Sequence, residues 1–158
     1  MHTDQAAAAT PLMSEEEVGR RVVPVIVGGT FLAYAYVREF NRRYGTTRCI
    51  VIITQDVKML TSSKFTDCIV PDAAHPEGLY RALENIASEL RAEDPETVPL
   101  LLGCDDRHAL MFAAAQEHLR DEGFVVACNN YTMLAKISQK RGFYELCEEL
   151  DIPYPKTW

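Results

Sequence analysis

The chain has 158 residues and a mass of 17.8 kDa, enough for one domain with an ordinary core. Apolar residues make up 47% of it and charged residues 25%, and no apolar run is long enough to cross a bilayer. A formal net charge of -7 supplies no basic stripe for a phosphate backbone, which argues against a nucleic-acid partner.

Residues 1–20 show neither strand alternation nor a long helical stripe and read as a loose arm with a single helical turn. "VVPVIVGG", from Val22, is a short continuous apolar run ending in glycines, the pattern of a strand buried on both faces. "TFLAYAYVREFNRRYG" then places Phe31, Tyr34, Ala35, Val37, Phe40 and Tyr44 near helical spacing, with Gly45 as the stop signal. "RCIVIIT" is a second buried strand, "QDVKMLTSSKFT" reads as irregular, and "DCIVPD" is a shorter third strand closed by Pro71.

"HPEGLYRALENIASELRAED" carries Leu79, Leu83, Ile86, Ala87 and Leu90 on one helical face, and "VPLLLGCDD" repeats the strand-then-turn pattern of the first run. "RHALMFAAAQEHLRDEG" reads as one helix ending in glycine, and "FVVACN" as a fifth strand. "NYTMLAKIS" and "QKRGFYELCEEL" are two helical stretches interrupted near Gly142. Strands alternating with helices predict an α/β fold: an open, mainly parallel sheet of five strands, Rossmann-like, with helices on both faces and right-handed crossovers. Its ligand crevice should lie beyond the carboxyl ends of the strands. That singles out the loops at 28–30, 54–56, 71–75, 103–107 and 129–131.

Cys49, Cys68, Cys104, Cys128 and Cys147 are scattered singly, without C-x-x-C spacing. An odd count and the lack of a secretory h-region make them small buried thiols of a cytoplasmic protein. Gly28, Gly29 and Thr30 join a strand to a helix start, where free amides and the helix dipole could hold a carboxylate or phosphate; a simple tight turn is the alternative. "GGTFLA" is not the G-x-G-x-x-G of dinucleotide sites, no acidic residue ends the second strand, and G-x-x-x-x-G-K-[ST] is absent. A nicotinamide oxidoreductase and a P-loop nucleotidase are disfavoured accordingly.

"GCDDRH" sets two carboxylates and a histidine at the end of the fourth strand. One of Asp105 and Asp106 is expected to cap the following helix, leaving the other and Arg107 to face the crevice. His108 is expected on the helix rather than as a metal ligand. His75 and His118 lack partners at metal spacing, so no structural zinc is expected. G-x-S-x-G, H-E-x-x-H and cysteine-nucleophile motifs are missing, which leaves independent hydrolase chemistry without support.

The ending "TMLAKISQKRGFYELCEELDIPYPKTW", with Lys140, Phe143, Leu146, Cys147, Leu150, Ile152, Pro153, Pro155 and Thr157, resembles the junction in ATP-grasp ligases between the pre-ATP-grasp domain and the ATP-binding lobes. With the "GGT" and "LLGCDD" turns the resemblance runs from Val22 to Trp158, and it is nearest the carboxylate-amine ligases related to D-aspartate ligase. It implies an arm at 1–20, a pre-ATP-grasp domain at 21–150, and at 151–158 the start of a linker to lobes that this chain lacks.

It further implies an enzyme that uses ATP and magnesium to activate a carboxylate as an acyl-phosphate for attack by an amine, in peptidoglycan cross-bridge synthesis. By the same resemblance Lys140 reaches the nucleotide from the domain junction. Gly28, Gly29 and Thr30 lie by the substrate, Asp105 and Asp106 face the same cleft, and most of the ATP and magnesium site lies elsewhere, so the chain alone should not turn over. Tyr154 and Trp158, left exposed, would favour a homodimer. The competing reading is a Rossmann-like binding or interaction domain without catalysis.

Overall fold

The computed structural model describes residues 13–45, 48–70 and 77–156. In chain order they form α1 (Glu15–Arg21), β1 (Val22–Val27), α2 (Phe31–Tyr44), β2 (Cys49–Ile52), α3 (Lys58–Thr61), β3 (Thr66–Ile69) and α4 (Glu77–Glu93). These are followed by β4 (Val98–Gly103), α5 (Asp106–Ala114), α6 (Gln116–Asp121), β5 (Val125–Val126), α7 (Tyr131–Ile137) and α8 (Lys140–Glu149). The strands make one open sheet in the order β3-β2-β1-β4-β5, and every pairing is parallel.

Continuous apolar runs become the central strands because both faces of the sheet are covered. Val25 and Val27 of β1 point into a core with Ile50, Ile52 and Leu101, closed by Leu83, Ile86 and Leu90 of α4, Phe112 of α5 and Leu119 of α6. Ile26 points the other way and packs with Val51 and Cys49 beneath Ala33 and Val37 of α2 and Leu60 of α3. Alternate residues of one strand thus serve opposite cores, as the two-residue period of a strand requires. Pro24 and Pro99 are tolerated because each precedes the residue at which its strand acquires its second neighbour: β1 pairs β2 from Val25, and β4 pairs β5 from Leu100.

Four local expectations need correction. The described part of the amino-terminal arm is a seven-residue helix, closed by a capping box in which Ser14 Oγ accepts from the Glu17 amide and Glu17 Oε2 accepts from the Ser14 amide. The segment between β2 and β3 holds α3, anchored by the wholly buried Leu60. The helix after β4 is two helices, parted at Ala115, whose φ of -103° and ψ of 17° leave the helical region. Finally, the break between the last two helices falls at Ser138 and Gln139 rather than at Gly142, so Lys140 and Arg141 lie in the first turn of α8. Gly142 serves packing instead: a Cβ there would overlap the Lys136 carbonyl oxygen of α7.

Cys49 and Cys147 are buried, whereas Cys68, Cys104 and Cys128 are partly accessible. Burial, reinforced by Asp67, pushes the Cys49 thiol up to about 12, so its reactive thiolate is nearly absent at neutral pH. Alkylation at pH 8 followed by mass spectrometry is expected to leave Cys49 and Cys147 unmodified until the chain is unfolded, while Cys128 reacts first. Rapid labelling of Cys49 in the folded chain would mean that β3 parts from β2.

Candidate functional site

The parallel register sets the carboxyl ends of three strands level with one another: Val27 of β1 lies opposite both Ile52 of β2 and Gly103 of β4. The chain leaves β1 for β2 on one side and returns to β4 on the other, so the strand order reverses between β1 and β4, where ligands bind in open α/β sheets. The turns after these two strands are those at 28–30 and 104–106. They are tied together and to the sheet: the Cys104 amide donates to Val27 O at 3.0 Å, and the Gly28 amide donates to Ile52 O at 2.9 Å.

Glycine is required at 28. Its φ is +128°, and a Cβ would stand 2.8 Å from Cys104 Cβ and 3.7 Å from His108 Cε1. The β1 turn therefore lies directly against the start of α5. Thr30 is the N-cap of α2 but makes no side-chain cap bond, and no acidic residue occupies the first turn. The amides of Phe31, Leu32 and Ala33 precede the intrahelical ladder, so α2 presents them at the crevice without a side-chain cap. Phe31 itself is 74% exposed.

The two acids of the β4 turn divide as expected. Asp105 is the N-cap of α5, its Oδ1 accepting from the His108 amide at 2.8 Å, and Asp106 is the exposed first residue of the helix. Arg107 is exposed as well. Burial pushes the Cys104 thiol up, with the Thr30 hydroxyl opposing and Asp105 adding to the shift, which makes it a poor nucleophile.

His108 is the residue that the sequence reading undervalued. It is buried at the base of the β4 turn and stacked on Phe112, with ring centroids 6.3 Å apart and planes 21° from parallel. Nδ1 is 3.0 Å from Asp105 Oδ1, but the angle makes no hydrogen bond, and that nitrogen has no other partner. Burial lowers its pKa; Asp105 opposes this and Arg107 adds to it. The signal was present in the sequence: His108 and Phe112 are four residues apart and share the inward face of α5.

The imidazole is thus neutral in the fold and titrates at a lower pH than in the unfolded chain, where its value is near 6.5. Between those two values the unfolded state binds the extra proton, so stability falls as pH drops below about 6.5. In paired urea titrations at pH 8 and pH 5, His108→Gln is expected to lose less stability on acidification than the parent chain. An equal loss in both would show that His108 titrates alike in both states.

In the other loops at this edge, two polar side chains have local partners. Asp56 Oδ1 accepts from the Thr61 hydroxyl at 2.9 Å, and Asn130 caps α7 by accepting from the Met133 amide at 2.9 Å. The 71–75 loop, with His75, lies outside the described residues, as do Thr157 and Trp158. Tyr154 is not left open: it stacks on Tyr144 at 4.8 Å and donates to Glu148. His118 lies 3.3 Å from Glu84 on the surface. Among the described residues no three His, Cys, Asp or Glu side chains are grouped to hold a metal ion, and no helix is long and apolar enough to cross a membrane.

Lys140 is the exposed first residue of α8, a helix packed mainly on α7. Its neighbour in sequence, Arg141, pairs with Glu145 at 2.9 Å, and Lys136 of α7 ties the far end of α8 through Glu149 at 2.8 Å. The structure therefore brings the turns that hold Gly28, Gly29, Thr30, Asp105 and Asp106 to one edge of the sheet and carries Lys140 on α8, which packs on α7, itself packed on α5.

No protein-family profile matches the chain. Among curated proteins it is similar to a D-aspartate ligase of Enterococcus faecium (strain Aus0004), with 28% identity over 136 residues. The similarity covers 85% of this chain and 32% of that protein.

Proposed function

We propose that the chain is the substrate-side domain of an ATP-dependent carboxylate-amine ligase of the D-aspartate ligase type, acting in peptidoglycan cross-bridge synthesis. The observation that carries this reading is the similarity to D-aspartate ligase, which at 85% of the chain cannot leave out either the β1 or the β4 turn. The fold supports it by placing those two turns side by side at the switch point.

The described residues do not fit a complete site for ATP and magnesium. They offer no carboxylate group for the metal, and Lys140 stands on α8, packed on α7 rather than on the sheet. The nucleotide would be held chiefly by other parts of a longer polypeptide, with Lys140 as an auxiliary contact from the junction. What this chain contributes is substrate binding: uncapped amides at the start of α2 suit a carboxylate, and the acidic β4 turn suits a cationic group. The exposed Phe31 beside the crevice is a residue that a further domain, or a second copy of the chain, would cover.

The test is steady-state kinetics of a polypeptide spanning the full length of the D-aspartate ligase relative. Thr30→Val and Asp106→Asn are expected to raise KM for the carboxylate or amine substrate with KM for ATP unchanged, whereas Lys140→Ala raises KM for ATP. Crevice variants that alter only the KM for ATP would contradict the assignment.

A further inference from the structure

Helix α8 ends in a fixed corner. Asp151 has a φ of 52°; its amide donates to Glu148 O at 3.3 Å and the Ile152 amide donates to Cys147 O at 2.8 Å, the paired bonds of a Schellman cap. Tyr154 then folds back on Tyr144 and donates to Glu148, which closes that side of the helix. Gly142 and Glu149 meet Lys136 of α7 on a second side. A third side is apolar and open: Phe143 is 45% exposed and Leu150 59%, with Leu146 partly buried between them. These three stand at i, i+3 and i+7 and so form one stripe, and Ile152, just past the cap, is 50% exposed as well. Single apolar residues on a surface need no explanation, whereas a stripe on one short helix marks an interaction face.

The charges on the same helix say what fits there. Lys140 and Arg141 stand at its start, and Glu145, Glu148, Glu149 and Asp151 all follow in its later half and cap. Arg141 is paired with Glu145, and Glu149 with Lys136. Lys140 and Asp151, at opposite ends of the stripe, make no ion pair among the described residues. Phe143 and Leu150 lie symmetrically about the middle of the stripe. A second copy turned end for end therefore sets Phe143 on the partner's Leu150, lays the basic start along the partner's acidic end, and opposes the two helix dipoles. Parallel copies would set acid on acid and base on base. The face is thus complementary to itself in one orientation, the condition for an isologous two-fold contact.

We propose that the open stripe of α8 is a self-docking surface, on which a second copy of the chain binds antiparallel with Lys140 of each copy beside the partner's Asp151. The inference stands apart from the ligase reading, since it uses neither the crevice nor a nucleotide. It also moves the expected homodimer contact from Tyr154, which is closed against Tyr144, to another side of the same helix. A helix of ten residues is about 15 Å long and buries less than a standard interface, so the dimer is weak and forms at high concentration.

The experiment is sedimentation equilibrium of the 158-residue chain from micromolar to millimolar concentration. A monomer–dimer equilibrium without larger species is expected, because a two-fold contact closes on itself. Leu150→Glu, at a position exposed in the monomer, should weaken association at least about tenfold while the chain stays folded. Lys140→Glu and Asp151→Lys should each weaken it about threefold, and the two together should restore it, which a merely adhesive surface would not show.

The proposal is overturned by a monomer at every concentration, by association that Leu150→Glu leaves unchanged, by open-ended oligomers, or by a double charge swap no better than the single ones. It is overturned equally by a polypeptide matching the full length of the D-aspartate ligase relative that stays monomeric and is destabilised by Leu150→Glu, because the stripe would then be covered by the rest of that polypeptide.

Discussion

Gly28→Ala is expected to lose about 3 kcal/mol of stability, from a strained backbone and an overpacked contact acting together. The backbone at 28 has φ of +128°, which alanine adopts only at a cost, and the new methyl would lie 2.8 Å from Cys104 Cβ. Neither part can relax easily, because Gly28 is held to β2 through Ile52 O and Cys104 to β1 through Val27 O. Urea denaturation measures the loss directly. The double variant Gly28→Ala, Cys104→Gly should recover the contact part and not the strain. Full tolerance of alanine at 28 would mean that the β1 turn adopts another conformation, and the crevice geometry described above would go with it.

Phe112→Ala is expected to cost about 3–5 kcal/mol, the usual range for an aromatic ring removed from a filled core. Phe112 is 2% exposed and joins α5 to the core beneath β1 and β4. It also forms the apolar floor under His108, so its loss admits water beneath the imidazole. The His108 pKa should then rise back toward its ordinary value, since burial is the main cause that lowers it. The two effects are read by denaturation and by imidazole NMR on one sample. A destabilised chain with an unmoved His108 titration would show that the ring is desolvated by something other than Phe112.

The sheet was legible in the sequence because its central strands are buried on both sides, and β1, β2 and β4 each read as an unbroken apolar run ending in a turn. The crevice followed from topology alone: once the strands are parallel, the loops at 28–30 and 103–107 must lie at their carboxyl edge. Elements whose hydrophobic signal is short were harder to read. α3 has four residues and one buried anchor, Leu60, too few for a period to show. The break at Ala115 lies in a run of alanines, where no side chain marks a change of direction. The α1 cap was visible as Ser14 three residues ahead of Glu17 and was passed over because no long apolar stripe follows it.

Gly142 illustrates a different limit. A glycine within a helical pattern reads as a break, yet here it allows α7 to approach α8, a tertiary fact that one helix cannot announce. For the site, residue types were legible and roles were not. Asp105 and Asp106 are equivalent in sequence, and only the geometry of α5 makes one of them the cap. His108 looked like an ordinary helix residue until Asp105, Phe112 and Gly28 were placed around it.

The measurement that bears most directly on the ligase reading is calorimetric titration with Mg-ATP of this chain and of a polypeptide matching the full length of D-aspartate ligase, side by side. The longer polypeptide is expected to bind Mg-ATP, and the 158-residue chain is expected not to bind it measurably. Tight binding by the shorter chain would contradict the account, because the nucleotide site would then be built from the crevice assigned here to the substrate.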